Sequence, residues 1–140
     1  MADALPTKLQ LQIVSADRAL LNESVDEVVI PGFDGYFGVL PGHTPLLAVL
    51  HVGELWYRQG QEKHYLHIAF GFAEVLPDRV NLLAEIGERA EEIDAGRAEL
   101  ARTRAAERMK TITDEAGYNE AHLAYIRAVT RLAVARKRRA

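Results

Sequence analysis

The chain has 140 residues, of which 49% are hydrophobic and 26% charged, and a formal net charge of −3. That is ordinary globular composition for one domain, or for a compact domain with an appendage, and it argues against disorder. The absence of cysteine removes disulfides, thiolate nucleophiles and Cys-ligated metals. Pro, Gly or a charge interrupts every apolar stretch well short of the ~18 residues a membrane span needs. Met1 to Lys8 has neither signal nor transit character, so the protein is expected to stay where it is made.

The net charge hides an asymmetry. Residues 1–88 carry five Lys/Arg against twelve Asp/Glu, a net of −7, whereas residues 89–140 carry twelve against eight, a net of +4. The last fourteen residues hold Arg127, Arg131, Arg136, Lys137, Arg138 and Arg139 and no acid. Halves of opposite charge point to two modules with different partners.

The first module reads as strands. Lys8 to Ile13 alternates polar and apolar residues strictly, which places Leu9, Leu11 and Ile13 on one buried face. Further β-rich runs cover Glu27–Ile30, Tyr36–Leu40, Leu46–Val52, Leu55–Arg58, His64–Phe70, Ala73–Leu76 and Val80–Ile86. Between them fall turn signals such as Asp34-Gly35, Pro41-Gly42 and Pro77-Asp78. Short strands at this spacing predict an antiparallel β-sandwich or barrel, because no helical crossover fits between them.

The period changes near residue 88. Between Ile93 and Thr113 there is no Pro, and Ala98, Ala101, Ala105, Met109 and Ile112 recur at helical spacing. Thr113 to Asn119 reads as a breaker, with Gly117 as a helix C-cap and Asn119 as the next N-cap, and a second helix is predicted from about Glu120 to Lys137. Facing stripes of small residues let two helices approach closely, so residues 89–140 are expected to form an antiparallel hairpin on a β-sandwich of residues 1–88, an α+β architecture. Rows of alanine bury little apolar surface, so the hairpin is expected to detach readily.

Catalytic and metal sites are not indicated. His64 and His67 stand three apart in a strand and point to opposite faces, and the other histidines are scattered, so all five read as surface or satisfied side chains. Gly32 to Gly38 is glycine-rich but lacks the Lys-Ser/Thr of a phosphate loop, and Ser15 and Ser24, the only serines, sit in no nucleophile elbow.

Two motifs combine with this architecture: Gly35-Tyr36-Phe37-Gly38-Val39-Leu40-Pro41-Gly42-His43-Thr44-Pro45-Leu46-Leu47 in the strand module, and Ile93-Asp94-Ala95-Gly96-Arg97-Ala98 opening the first helix. With Val14-Ser15-Ala16 and Gly71-Phe72-Ala73-Glu74-Val75, they make essentially the whole chain resemble the epsilon subunit of F-type ATP synthases.

The resemblance implies a non-catalytic rotor component on the cytoplasmic side of a bacterial inner membrane, reaching the membrane only through its complex. Its sandwich is expected to pack on a gamma subunit and on the c-ring, with Asp34, Gly35, Tyr36 and His43 near the c-ring. Its hairpin is expected to be compact, or extended beside the alpha and beta subunits where it blocks ATP hydrolysis, using Arg127, Arg131 and Arg138. These three arginines fall within about 40° on a helical wheel. ATP, as a regulatory ligand rather than a required cofactor, is expected to favour the compact state through Ile93, Asp94, Arg97 and Ala98, with Arg104, Arg127, Arg131 and Glu88 as further contacts. Guanidinium groups converging from two helices suit a polyphosphate. A stand-alone nucleotide-sensing module is the other reading. A nucleic-acid binder is disfavoured by the acidic strand module and by the lack of aromatic residues in the basic tail.

Overall fold

A computed structural model describes residues 5–138. Eight strands, β1 (Leu9–Ser15), β2 (Ala19–Val25), β3 (Glu27–Gly32), β4 (Gly35–Val39), β5 (Leu46–Val49), β6 (Gly53–Gln59), β7 (Glu62–Leu76) and β8 (Arg79–Arg89), precede a 3₁₀ turn at Ala90–Glu92 and two helices, α1 (Ala95–Thr111) and α2 (Glu115–Ala135). The expected sandwich followed by a helical hairpin is what forms. The strands follow the hydrogen-bonded order β2-β1-β8-β7-β6-β3-β4, and β5 pairs with the second half of β7. Leu9, Leu11, Ile13, Val28, Ile30, Leu55, Ile68, Val75 and Val80 are fully enclosed between the layers. Each such side chain contributes about 1.5–3 kcal/mol by leaving water.

Three details differ from the expectations. β1 runs parallel to β8, Gln10 pairing with Arg79 and Ser15 with Ala84, whereas every other pairing among the described strands is antiparallel. The connection between these two parallel strands is most of the sandwich itself, so no helical crossover is required. β2 lacks an alternating pattern because Leu20 and Leu21 are both buried, next to a register shift between Ile13 and Val14 of β1. The runs His64–Phe70 and Ala73–Leu76 are one strand, β7, whose first half pairs with β6 and whose second half pairs with β5. It changes partner at Phe70 and Gly71, where φ is +62° and +113°. A Cβ on Gly71 would lie 1.9 Å from the carbonyl oxygen of Leu83 on β8, so only glycine fits there.

The hairpin closes through alanines, as the small-residue stripes predict. Ala98 and Ala105 of α1 and Ala121 and Ala128 of α2 are buried. The inter-helix turn is shorter than expected. Asp114, not Asn119, caps α2, its carboxylate accepting the Gly117 N–H at 2.7 Å, so Gly117 belongs to the first turn of α2 rather than ending α1. The local rule that won is the strong preference of aspartate for the N-cap. At its other end α2 stops at Ala135, which leaves Arg138 on a turn beyond the helix and limits the shared helical face to Arg127 and Arg131. Arg139, part of the basic tail, lies outside the described residues.

Asp94 caps α1 in the same way, accepting the Arg97 N–H at 3.1 Å. Gly96 follows it inside the first turn, and a Cβ there would make only one contact, at 3.4 Å, with the Asp94 carboxylate. Gly96→Ala is therefore expected to stabilise the hairpin by about 0.5–1 kcal/mol, through the lower entropy of the unfolded chain. Amide hydrogen exchange in α1 should slow correspondingly, and unchanged exchange would contradict this.

Candidate functional site: the cleft under the hairpin

α2 rests on strands β6 and β7 and on the 3₁₀ turn. Its C-terminal end is seated apolarly: Val134 and Ala135 pack with Ala90 and Ile93, and Tyr65 and Ala95 border them. Further along α2, the packing opens into a cleft of about 320 Å³ lined by His67, Ile86, Glu88, Ala101, Ala124, Arg127, Ala128 and Arg131. The alanines that let the helices approach each other also leave the space between hairpin and sandwich unfilled.

The polar chemistry of the cleft centres on Glu88, whose backbone lies near the end of β8. Arg131 meets it as a fork, Nε to Oε1 at 2.8 Å and Nη2 to Oε2 at 2.9 Å, and His67 Nδ1 lies 3.1 Å from Oε1. Burial pushes the Glu88 carboxyl up, but the hydrogen bonds from His67 and Arg131 and the Arg131 charge outweigh it and bring it down to about 2. A carboxylate held low in the folded state adds stability above its unfolded value near 4.5, and that stability is lost as pH falls from there towards about 2. Because an ionised carboxylate only accepts, His67 Nδ1 carries the proton and donates. The His67 side chain is 1% exposed, and its Nε2 is buried with no partner among the described residues. Beyond the helix end, Lys137 Nζ bonds Glu54 Oε1 at 2.8 Å and sits 4.8 Å from the Tyr65 ring centroid.

Of the residues singled out in the sequence, Glu88, Arg127 and Arg131 meet in this cleft. Ile93 and Ala98 are buried at the base of the hairpin, while Asp94, Arg97 and Arg104 are exposed on or beside α1 and do not line the cleft. The guanidinium groups of Arg97, Arg104 and Arg127 have no ion-pair partner among the described residues. His67 was read in the sequence only as one of five surface or satisfied histidines. Among the described residues no group of three or more His, Asp or Glu could hold a metal ion. The strand position of His67 directly opposite Glu88 was the missed signal.

The second group of singled-out residues lies elsewhere on the sandwich. Asp34, Gly35 and Tyr36 at the β3–β4 turn line an open groove of about 730 Å³ with Phe33, Leu46, Leu47 and Val49. Phe33, Leu47 and Val49 are strongly exposed. His43 lies in the β4–β5 loop outside this groove, its Nδ1 2.7 Å from the Thr44 carbonyl. No helix among the described residues is long and apolar enough to cross a membrane.

A sandwich whose last strand leads through a single 3₁₀ turn into two antiparallel helices, with an arginine-bearing cleft between the modules, matches one family along nearly its whole length. Residues 8–90 match the family model of the ATP synthase delta/epsilon chain β-sandwich domain, and residues 91–136 match that of its long α-helix domain. The chain belongs to the ATP synthase delta/epsilon chain family. Within it, similar relatives are epsilon chains. That of Syntrophobacter fumaroxidans is 49% identical over 93% of this chain and 97% of its own length, and that of Herpetosiphon aurantiacus is 46% identical over 94% and 96%. Among solved structures, a chain of the Euglena gracilis mitochondrial ATP synthase OSCP/F1/c-ring assembly superposes with a TM-score of 0.83 at 26% identity, covering 95% of this chain and 84% of that one. A chain of the Tetrahymena thermophila mitochondrial central stalk and c-ring shares the fold, with a TM-score of 0.61 at 14% identity.

Proposed function

We propose that this chain is a non-catalytic rotor subunit of an F-type ATP synthase, joining a gamma subunit to the c-ring, and that its hairpin restrains ATP hydrolysis unless ATP holds it closed. The observation that carries this reading is the cleft under α2. It is lined by two arginines, has unfilled volume, and is closed by a thin alanine interface and a few ion pairs. Arg127 and Arg131 supply positive charge for phosphates, and Arg97 and Arg104 can approach from α1 without breaking an ion pair seen in this conformation. Ile93, Asp94 and Ala98 shape the turn at which the hairpin leaves the sandwich.

In the open state, Arg127, Arg131 and Arg138 would be available to acidic surfaces of the alpha and beta subunits. In the closed state Arg131 is occupied by Glu88. The apolar groove beside Asp34, Gly35 and Tyr36, with His43 nearby in sequence, suits a permanent protein partner. The Euglena relative sits in an assembly containing F1 and a c-ring, which supports placing this chain at the same junction, peripheral to a bacterial inner membrane on its cytoplasmic side.

The experiment is truncation after Arg89 in the assembled complex. Hydrolysis is expected to rise while assembly persists, because β8 and its Arg89–Leu20 contacts are retained. Unchanged hydrolysis in a complex that contains the truncated chain would overturn the inhibitory role.

A further inference from the structure

Lys137 lies two residues beyond α2 and ties the hairpin to the sandwich outside the cleft. Its Nζ donates to Glu54 Oε1 at 2.8 Å and stands 4.8 Å from the Tyr65 ring centroid, so one ammonium meets a carboxylate and a π face together. Its backbone N–H donates to the Val134 carbonyl at 2.9 Å, which fixes it directly behind the apolar seat of Val134 and Ala135 on Ala90 and Ile93. The sandwich side is held as well. The Glu54 N–H donates to the Tyr36 hydroxyl at 2.9 Å, and β6 pairs with β7 from Gly53–Ile68 to Gln59–Glu62. Tyr65 on β7 stands opposite Trp56, two residues along β6 from Glu54, so ring and carboxylate present to one face.

We propose that Lys137, Glu54 and Tyr65 form a latch that sets how far the hairpin is closed before any nucleotide binds, and that withholds Lys137 from an acidic partner surface until it opens. The inference rests on the hairpin opening as described above. An isolated surface ion pair contributes little, because two long side chains must be ordered to make it. Here the Glu54 side chain is only 26% exposed on a paired strand and Tyr65 packs at the border of the apolar seat, so the ordering cost falls on Lys137 alone. Neither Lys137 nor Glu54 lines the cleft, so the latch acts whether or not the cleft is filled. A ligand that binds only the closed form has its apparent affinity reduced by the closed fraction. The latch therefore tunes apparent ATP affinity without touching ATP, whereas Arg131 and Arg127 act inside the cleft itself.

The test uses the full chain, which has no native cysteine, carrying Ser24→Cys on the sandwich and Thr113→Cys at the hairpin turn as label sites, both on exposed residues. The distance between labels is read without nucleotide and then through an ATP titration. Glu54→Gln keeps the size of the side chain and removes its charge. It is expected to lower the nucleotide-free closed-to-open ratio by about two- to fivefold. Apparent ATP affinity should fall by no more than the same factor, with the closed distance at saturation unchanged. Glu54→Lys, which sets like charges against each other, should open the hairpin further, and combining it with Lys137→Glu should return the ratio towards wild type. A nucleotide-free ratio in Glu54→Gln equal to wild type, or a double variant no closer to wild type than Glu54→Lys, overturns the latch, while closure by ATP keeps the hairpin reading. If the labels respond neither to ATP nor to these substitutions, both fall.

Discussion

An Arg131→Ala chain is expected to spend most of its time with the hairpin open and to lose most of its affinity for ATP. The substitution removes both arms of the fork on Glu88 and leaves a partly buried carboxylate with His67 as its remaining partner. Orphaning one member of such a pair costs more than the intact pair contributes, about 2 kcal/mol or more at this degree of burial. That shifts the closed-to-open ratio by about thirtyfold. The apolar reserve is small, since the seat of α2 consists of Ala90, Ile93, Val134 and Ala135 with Tyr65 and Ala95 at its border. Calorimetric titration with ATP checks the affinity, and hydrogen exchange in α2 checks the opening. The pH dependence gives an independent sign. Glu88 is held at about 2 partly by Arg131, so the wild-type hairpin should lose protection as pH falls from about 4.5 towards 2, and the variant should show less of that loss. ATP affinity equal to wild type would mean that Arg131 is not part of the nucleotide site.

Gly71→Val acts on the sandwich rather than on the hairpin, with a larger effect on stability. The backbone at Gly71 has φ +113°, which a β-branched residue adopts only under strain, and the new Cβ would fall 1.9 Å from the Leu83 carbonyl oxygen. Relief requires β7 and β8 to separate within a ladder that runs from Leu66–Arg89 to Leu76–Arg79 and skips only Phe70 on β7. A cost above about 3 kcal/mol follows, which lowers the melting temperature by roughly 10 °C in a chain of this size. Thermal unfolding followed by circular dichroism measures it, and a melting temperature within about 2 °C of wild type would show that the strand crossing is not rigid.

What could be read from the sequence divides along physical lines. Strict alternation at Leu9, Leu11 and Ile13 and the alanine spacing at Ala98, Ala101 and Ala105 report local periodicity, and the corresponding strand and helix are present. β2 escaped because Leu20 and Leu21 both face inward beside a register shift, which erases the period of two. The single long β7 was read as two runs because its change of partner at Phe70-Gly71 looks like a turn in one dimension. The α2 start was misplaced because Gly117 reads as a terminator unless the aspartate three residues before it is recognised as the cap. Glu88, Arg127 and Arg131 were legible through the family resemblance, as contacts outside its motif, whereas His67 was not. Its role depends on cross-strand register, which joins residues 21 positions apart and leaves no local pattern.

The central claim is that the hairpin is a moving part closed by nucleotide. The most direct measurement is ATP titration of the full chain labelled at residues 24 and 113, near neutral pH, following the inter-label distance. A saturable shift to the closed distance is expected, abolished by Arg131→Ala. A distance that does not respond to saturating ATP, or an equal response in Arg131→Ala, would contradict it.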